Sequence, residues 1–199
     1  MPGTREAIVA AARDLLLDEG LAAVTMRRVA ERVGVSATAL YRHYADKEAL
    51  LAAAVADGAR ELARAFAEAA RAGGAREALR ETGRAYLRFA FEHPRDYQLL
   101  FMAWDELPVA APRDPRRYGP ALELLFQRVE ACRAEGLIAQ DEDALEVVML
   151  CWSVVHGLAS LWLAGGARGR MGEREYRRVC DAVLDRALQG VLRRPPRRS

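Results

Sequence analysis

The spacing of apolar residues along this chain predicts helices almost throughout. In the first such stretch, residues 5–19, Ile8 and Leu15 lie on one face at helical spacing. No run of alternating apolar and polar residues indicates a strand. The pattern and its glycine and proline breaks predict helices at about 5–19, 26–32, 37–43, 47–72, 75–92, 95–104, 121–135, 144–164 and 173–192. The sequence therefore predicts an all-α protein of about nine helices, with a proline-rich loop at 105–120.

Two short helices around one tight turn form the most informative stretch. Thr25 and Ser36 are good N-caps for them, and Gly34 supplies the turn. A helix, a glycine-containing turn and a second helix are the sequence form of a helix-turn-helix. The apolar residues that can meet between the two helices are Val29, Ala30, Val33, Val35 and Leu40. The outer face of the second helix keeps Ser36, Ala37, Thr38, Tyr41, Arg42 and His43, where a recognition helix contacts the major groove.

Charge supports this interpretation locally and not globally. The whole chain has a net charge of +2, but residues 25–47 hold five cations against two anions. Arg27 and Arg28 fall in the first turn of one predicted helix and Lys47 in the first turn of another. A cation there opposes the helix dipole at a cost of about 0.3–1 kcal/mol, whereas a bound phosphate would reverse that sign. We expect these three side chains to bind DNA phosphates; the alternative is that they are solvated surface cations.

Several classes of site have no support in the sequence. Three widely spaced cysteines argue against a disulfide framework and fit a reducing compartment, and the N-terminus lacks a signal peptide. We therefore expect a cytoplasmic protein. Three histidines lie far apart, so no metal-site spacing is present, and no nucleophile has a positioned base. The sequence predicts no catalytic residue, no metal and no cofactor.

The segment VTMRRVAERVGVSATALYRHYADKEALL resembles the DNA-binding region of the TetR family of transcriptional regulators. The residues that carry the resemblance are Thr25, Ala30, Gly34, Val35, Ser36, Leu40, Tyr41, His43, Tyr44, Lys47 and Leu50. Two positions depart from the family pattern. Tyr44 replaces a common phenylalanine, which is tolerable if its hydroxyl group reaches water or a partner, and Arg42 stands where an aromatic residue is frequent.

The resemblance implies roles for these residues. Thr25, Tyr41 and Lys47 would bind phosphates. The residues that would approach base edges are Ser36, Ala37, Thr38, Arg42 and His43. We expect Leu40 and Tyr44 to be core residues, while His43 could pack the helix ends instead of contacting a base. The domains would be a helix-turn-helix domain at 1–47, a ligand-binding and dimerisation domain at 48–192, and a disordered tail at 193–199.

The predicted helix at 144–164 is unusually apolar, with no charged residue from Val147 to Ala164. Its length alone would allow it to span a membrane. We reject a membrane span because Glu146 and Arg168 bracket the segment closely and Gly157 interrupts it. A helix that is apolar all round is also typical of one buried on several sides.

The polar and small residues of this helix suggest a dimer. Glu146, Ser153, His156 and Ser160 share an arc of about 80° with Met149, Gly157 and Ala164, and small residues there permit close helix approach. The residues left for the core are Val147, Val148, Leu150, Trp152, Val154, Val155, Leu158, Leu161 and Trp162. The resemblance implies a homodimer through the helices at 144–164 and 173–192. Each copy would contribute one DNA-binding domain, here called its reading head. The two reading heads would bind the half-sites of a palindromic operator, about 34–36 Å apart.

A second, shorter motif is the W-x-x-x-H-G of Trp152, His156 and Gly157. It resembles a C-terminal subgroup of TetR-like regulators named for Trp, His and Gly (WHG), as does the stretch HPRDYQLLF at 93–101. The candidates for lining an effector site are Tyr86, Phe89, Phe101, Met102, Trp104, Trp152 and His156. His156 is the best polar candidate, but it could equally be a buried, hydrogen-bonded histidine or lie at the dimer interface. Aromatic residues at helical spacing are also typical of a core. Few charges fall on this set, so the ligand would be a small lipophilic molecule.

The resemblance implies a regulator, most commonly a repressor, that leaves its double-stranded DNA operator when a ligand shifts the tilt of the helix after Asp46. Two alternatives stay open: a constitutive DNA-binding protein without an effector, and a helical enzyme. Arginine outnumbers lysine 29 to 1, which suggests a GC-rich bacterial genome.

Overall fold

The computed structural model describes residues 4–69, 71, 73–102 and 120–192. This part of the chain forms nine α-helices and one 3-10 turn at Leu21–Ala23 without a strand, which confirms the all-α prediction. The helices are α1 (Thr4–Glu19), α2 (Met26–Val33), α3 (Ala37–Tyr41), α4 (Lys47–Ala69), α5 (Gly74–Glu92), α6 (Pro94–Phe101), α7 (Pro120–Ala134), α8 (Ala144–Leu163) and α9 (Glu173–Val191). The predicted loop at 105–120, except for Pro120 at the start of α7, and the predicted tail at 193–199 lie outside the described residues.

The chain divides into two compact units. Unit 1 comprises Met1–Glu61 with His93–Ala111, and unit 2 comprises Leu62–Glu92 with Pro112–Ser199. The first boundary therefore falls inside α4 and not at residue 47, where the sequence predicted the domain border. The reading head is larger than the helix-turn-helix because part of α4 and all of α6 pack with it.

Two ion pairs explain why α6 belongs to unit 1. Arg13 of α1 donates to Asp96 of α6 at 2.6 Å, and Arg95 of α6 donates to Asp18 of α1 at 2.6 Å. On α4, Gly58 lies against α6, since a Cβ there would be in ordinary van der Waals contact with the Asp96 Cβ atom, 3.4 Å away. Contacts between residues about 80 positions apart fix this arrangement, and helical spacing does not predict them.

The predicted caps of the reading head are confirmed. The Thr25 hydroxyl oxygen accepts the Arg28 backbone N–H at 3.2 Å, and Ser36 accepts that of Ala39 at 3.1 Å. Gly34 ends α2 in the left-handed region, at φ 77°. The second helix is shorter than predicted, because α3 ends at Tyr41 and not at 43. There the backbone bonds tighten to three-residue spacing, from Arg42 N–H to the Ala39 oxygen and from His43 N–H to the Leu40 oxygen.

Tyr44 is buried in the core of unit 1, and its hydroxyl oxygen has no hydrogen-bond partner among the described residues. A buried polar group left unpaired costs about 1–3 kcal/mol. We expect Tyr44→Phe to raise the free energy of unfolding by about 1 kcal/mol, measured by urea denaturation. Tyr176→Phe is the matched control, because the Tyr176 hydroxyl donates to the Leu158 carbonyl oxygen at 2.7 Å. Removal of this hydroxyl should lower the free energy of unfolding. Equal losses in both variants would show that the Tyr44 hydroxyl is satisfied.

In unit 2, α5 packs against α7, α8 and α9. Gly83 allows the close approach of α9, since a Cβ at this position would lie 2.9 Å from a methyl carbon of Leu184. Two ion pairs flank this contact: Arg80 donates to Asp185 at 2.6 and 2.9 Å, and Arg84 donates to Asp181 at 2.8 Å. The hydrogen bonds from Arg80 lower the pKa of Asp185. These pairs fix the register of α9 on α5.

Three aromatic rings join α5, α8 and α9 near one end of unit 2. Trp162 stacks on Tyr176 with ring centroids 5.0 Å apart and planes 17° from parallel. Phe91 meets both rings edge-on, at 6.0 Å from Trp162 and 6.3 Å from Tyr176. The guanidinium of Arg168 lies 5.2 Å from the Trp162 ring centroid. Trp162 and Tyr176 are buried, so this cluster is a core contact.

The placement of α8 corrects part of the sequence prediction. Leu150 and Leu161 were expected in the core, but they are 50% and 58% exposed. His156, predicted on the polar arc, is partly buried and lies within hydrogen-bond distance of Tyr86 on α5, which fits the alternative of a hydrogen-bonded histidine. The exposed residues of the helix itself are Glu146, Met149, Leu150, Ser153 and Leu161, and at 100° per residue they span about 120°. This uncovered face is wider and more apolar than the predicted arc of small residues.

Among the described helices, α8 is the one that is long and apolar enough to cross a membrane, judged by length and composition alone. The core helix of a soluble protein passes the same test. Its buried residues contribute to the core of unit 2: Ala144, Val147, Val148, Val155, Ala159 and Trp162.

Candidate functional site

The outer face of the helix-turn-helix presents the side chains that the sequence predicted for base contact. Tyr41 is 55% exposed although it is aromatic. The other exposed members of this set are Ser36, Thr38, Arg42 and His43, and Ala37 is half-buried. Behind them, Leu40 and Tyr44 are buried, as predicted. His43 is exposed, which favours the prediction of a contact over the alternative that it packs the helix ends.

The predicted phosphate contacts begin α2 and α4. Thr25 is exposed and caps α2, and Lys47 is the half-buried first residue of α4. The Asp46 carboxylate accepts the Ala49 backbone N–H at 2.7 Å and so caps α4 beside Lys47. A side-chain donor therefore lies at each of these helix N-termini, where the helix dipole favours an anion.

The two arginines of α2 differ from each other. Arg27 is strongly exposed and makes a loose pair with Glu31, 3.4 Å away on the next turn. Arg28 is engaged: its Nη2 donates to both carboxylate oxygens of Glu19, at 3.0 and 2.8 Å, and its Nη1 donates to the Ala23 carbonyl oxygen at 3.4 Å. The alternative of a solvated surface cation therefore fits Arg27 but not Arg28.

Glu19 is the residue of this site that the sequence reasoning missed. The first predicted helix ends at this residue, and the sequence assigns it no contact. A signal was available, because an acidic residue at a helix C-terminus is opposed by the helix dipole and needs a cationic partner. Which cation that is depends on how α1 and α2 cross, and no local pattern contains that information.

Unit 2 brings together three of the residues proposed for an effector site. The Trp152 indole N–H donates to the Tyr86 hydroxyl oxygen at 3.2 Å, and that hydroxyl lies 3.0 Å from Nδ1 of His156. Burial lowers the pKa of His156. In the neutral tautomer with its proton on Nε2, the imidazole accepts the Tyr86 proton at Nδ1, and the bonds then run from Trp152 through Tyr86 to His156. Phe89, the fourth residue of the set in this unit, is buried on α5.

The other proposed lining residues are not part of this group. Phe101 belongs to unit 1, with its ring centroid 5.0 Å from that of Tyr97. Met102 also belongs to unit 1 and is exposed, and Trp104 lies outside the described residues. Within the described ranges, no group of three His, Cys, Asp or Glu side chains could hold a metal ion.

Comparison with known proteins identifies the family. Residues 8–54 match the sequence model of "Bacterial regulatory proteins, tetR family". Residues 79–187, more than half of the chain, match that of "Tetracyclin repressor-like, C-terminal domain". The chain belongs to the TetR family. It has the fold of a TetR family transcription regulator, with a DNA-binding domain that the first match places at residues 8–54.

Two curated relatives each match about a quarter of this TetR family member. "Tetracycline repressor protein class C" of Escherichia coli is 51% identical over 47 residues, which cover 24% of this chain and 22% of that protein. "Uncharacterized HTH-type transcriptional regulator YdeS" of Bacillus subtilis (strain 168) is 45% identical over 49 residues, 25% of each protein. The chain thus spans about a quarter of the length of the curated relatives it matches.

A solved structure shows that the likeness in fold extends over the whole chain. The crystal structure of a TetR family transcription regulator from Marinobacter aquaeolei VT8 has a TM-score of 0.76 at 21% identity and covers 96% of both chains. At this identity the likeness concerns the fold alone. Membership of the Trp-His-Gly subgroup, suggested by the motif at Trp152, stays a prediction.

Proposed function

We propose that this TetR family regulator is a cytoplasmic repressor that binds a palindromic operator as a homodimer and leaves it when a small lipophilic ligand binds in unit 2. The observation that carries the proposal is the outer face of the helix-turn-helix. Exposed polar side chains and an exposed tyrosine lie there on a helix whose other face is packed in the core. An outer face of this kind is suited to contact with base edges and phosphates.

In this proposal the contacts divide into two groups. Thr25, Tyr41 and Lys47 bind phosphates and fix the register of the head on the duplex. The side chains that approach base edges in the major groove are Ser36, Ala37, Thr38, Arg42 and His43. Arg42 can bind a guanine through two hydrogen bonds, and its position on the exposed side of the turn after α3 supports that role.

The apolar surface of unit 2 supports the homodimer. The large apolar residues exposed on its two C-terminal helices are Met149, Leu150 and Leu161 of α8 and Val179 of α9. Contiguous exposed apolar surface marks an interaction site. At Gly157 an added Cβ would meet no atom within 4 Å, so α8 offers a shallow position where a second helix can approach. We propose that two copies pair through α8 and α9 and form a four-helix bundle.

The hydrogen-bonded chain of Tyr86, Trp152 and His156 supports the effector site. It supplies polar groups in an otherwise apolar part of unit 2, and the lowered pKa of His156 keeps the imidazole uncharged near neutral pH. An uncharged site suits a lipophilic ligand with a hydrogen-bonding group. Since α4 continues from unit 1 into unit 2, a ligand in unit 2 could change the equilibrium between head orientations by a coupling of about 1–3 kcal/mol.

The proposal is tested by binding of the purified protein to DNA upstream of its own and neighbouring genes, at two salt concentrations. We expect specific, salt-sensitive binding that Tyr41→Ala and Lys47→Ala each weaken about 3- to 30-fold. For Lys47→Ala, the slope of log K against log salt should fall by about one, because one phosphate contact is lost.

Arg170→Ala is the matched control, because it removes one positive charge from the exposed turn after α8. It should bind like the wild type. Equal effects of Lys47→Ala and Arg170→Ala would show a net-charge effect and no local contact. If the folded protein selected no DNA fragment from the whole genome, the proposal that it is a DNA-binding regulator would be overturned. A confirmed complex then serves to screen lipophilic compounds for release of DNA.

A further inference from the structure

Glu19 occupies a position between the two helices that begin the reading head. It is the last residue of α1, and its carboxylate contacts Arg28 at 2.8 Å and Arg32 at 3.7 Å. Both arginines belong to α2, nine and thirteen residues further along the chain. One carboxylate therefore serves two of the cations that lie beside the proposed DNA surface.

Two charges of this cluster, those of Glu19 and Arg28, oppose the dipoles of their own helices, whereas Arg32 lies in the last turn of α2, where the dipole favours a cation. Glu19 lies at the C-terminus of α1, where the dipole disfavours an anion, and Arg28 lies in the first turn of α2, where it disfavours a cation. Each side chain offsets the other. An anion beside the first turn of α2 would satisfy Arg28 and the helix N-terminus together. Glu19 thus supplies to Arg28 what a DNA phosphate would supply.

The Glu19–Arg28 ion pair is exposed enough to solvent for a phosphate to replace the carboxylate. The Glu19 and Arg28 side chains are each 41% exposed, and exposed ion pairs contribute little to stability because water and salt screen them. A phosphate approaching α2 therefore meets an arginine that can be released from its carboxylate. The Arg13–Asp96 pair of the same unit is less exposed and joins α1 to α6, so the two contacts are not equivalent.

We propose that Glu19 is an intramolecular competitor of DNA phosphate that holds Arg28, and secondarily Arg32, and so sets the affinity and salt dependence of the reading head. The inference rests on the proposed function, because it requires that this face binds DNA. On binding, Arg28 exchanges the carboxylate for a phosphate. The released carboxylate gathers cations, which offsets part of the counterion release that drives association.

The test uses the full chain and a fluorescently labelled duplex of random sequence, which needs no known operator. Anisotropy titrations from 50 to 200 mM NaCl compare the wild type with Glu19→Gln, which keeps the size and removes the charge. We expect Glu19→Gln to bind about 3- to 10-fold more tightly, with a slope of log K against log salt steeper by up to about one. Circular dichroism confirms that the variant is folded.

Two further variants separate competition from other causes. Glu6→Gln removes the same charge from the opposite end of α1, about 20 Å along the helix axis, and should bind like the wild type. In an Arg28→Gln background, Glu19→Gln should lose most of its effect. If Glu6→Gln and Glu19→Gln raised the DNA affinity equally, the gain would come from the change in net charge alone, and the proposal would be overturned. A weaker complex with Glu19→Gln would do so too, because the carboxylate would then organise the surface instead of competing for it.

The two proposals fail in different ways. If the wild type binds no duplex, or binds without dependence on Tyr41 and Lys47, the proposed function fails and this inference fails with it. If the wild type binds through those residues and Glu19→Gln leaves both affinity and salt slope unchanged, only the competition is overturned.

Discussion

Leu161→Arg is expected to give a folded monomer that binds the operator at least about 100-fold more weakly than the wild type. Leu161 is the most exposed large apolar residue in the described part of the chain, and it lies on the uncovered face of α8. In a two-fold interface each substitution occurs twice. The arginines of both copies would be brought into an apolar contact where neither is paired, and the dimer would dissociate.

The loss of DNA binding follows from the loss of the second head. Within a dimer, binding of one head raises the effective concentration of the other at its half-site, and this linkage contributes about 10²- to 10⁴-fold to the affinity. A monomer keeps the residues of its own helix-turn-helix but loses this gain. Binding of a single half-site should therefore be nearly unchanged, while binding of the palindrome falls.

Sedimentation equilibrium measures the association and anisotropy measures the binding of palindrome and half-site. Met102→Arg is the matched control, since it also replaces an exposed apolar residue by arginine, but in unit 1. It should remain a dimer. A Leu161→Arg protein that stays dimeric with unchanged operator affinity would place the interface on a surface other than α8.

Trp162→Ala is expected to lower the free energy of unfolding by about 3–5 kcal/mol, the usual cost of deleting a buried tryptophan. The side chain is buried, stacks on Tyr176, and meets Phe91 edge-on. Its removal leaves a cavity between α5, α8 and α9. Phe91 and Tyr176 each lose their contact with the Trp162 ring. Since a domain is stable by only about 5–15 kcal/mol, this change should leave unit 2 close to unfolding.

Urea denaturation followed by circular dichroism measures the loss. Trp162→Phe is the matched control, because a smaller ring keeps part of the stacking on Tyr176, and it should cost clearly less than the alanine. If Trp162→Ala cost under about 1 kcal/mol, the cluster would be able to collapse into the space, and the three rings would not be a stabilising contact.

By itself, the sequence determined the helices and the helix-turn-helix motif of the reading head. The caps at Thr25 and Ser36 and the turn at Gly34 follow from interactions between residues at most four positions apart. Such interactions are local, so the order of residues specifies them before any tertiary contact forms. Exposed and buried sides of α3 follow in the same way from helical spacing, as the buried Leu40 and the exposed Tyr41 show.

Only the tertiary structure decided which distant residues meet. The pairing of Arg28 with Glu19, the attachment of α6 to α1 through Arg13 and Asp96, and the chain from Trp152 through Tyr86 to His156 join different helices. Helical spacing likewise left α8 ambiguous, because a helix that is apolar all round has no face that spacing can assign to solvent. Leu150 and Leu161 became surface residues because α5, α7 and α9 cover the other faces of α8. Periodicity records which residues share a face, whereas the packing of other helices decides which face is covered.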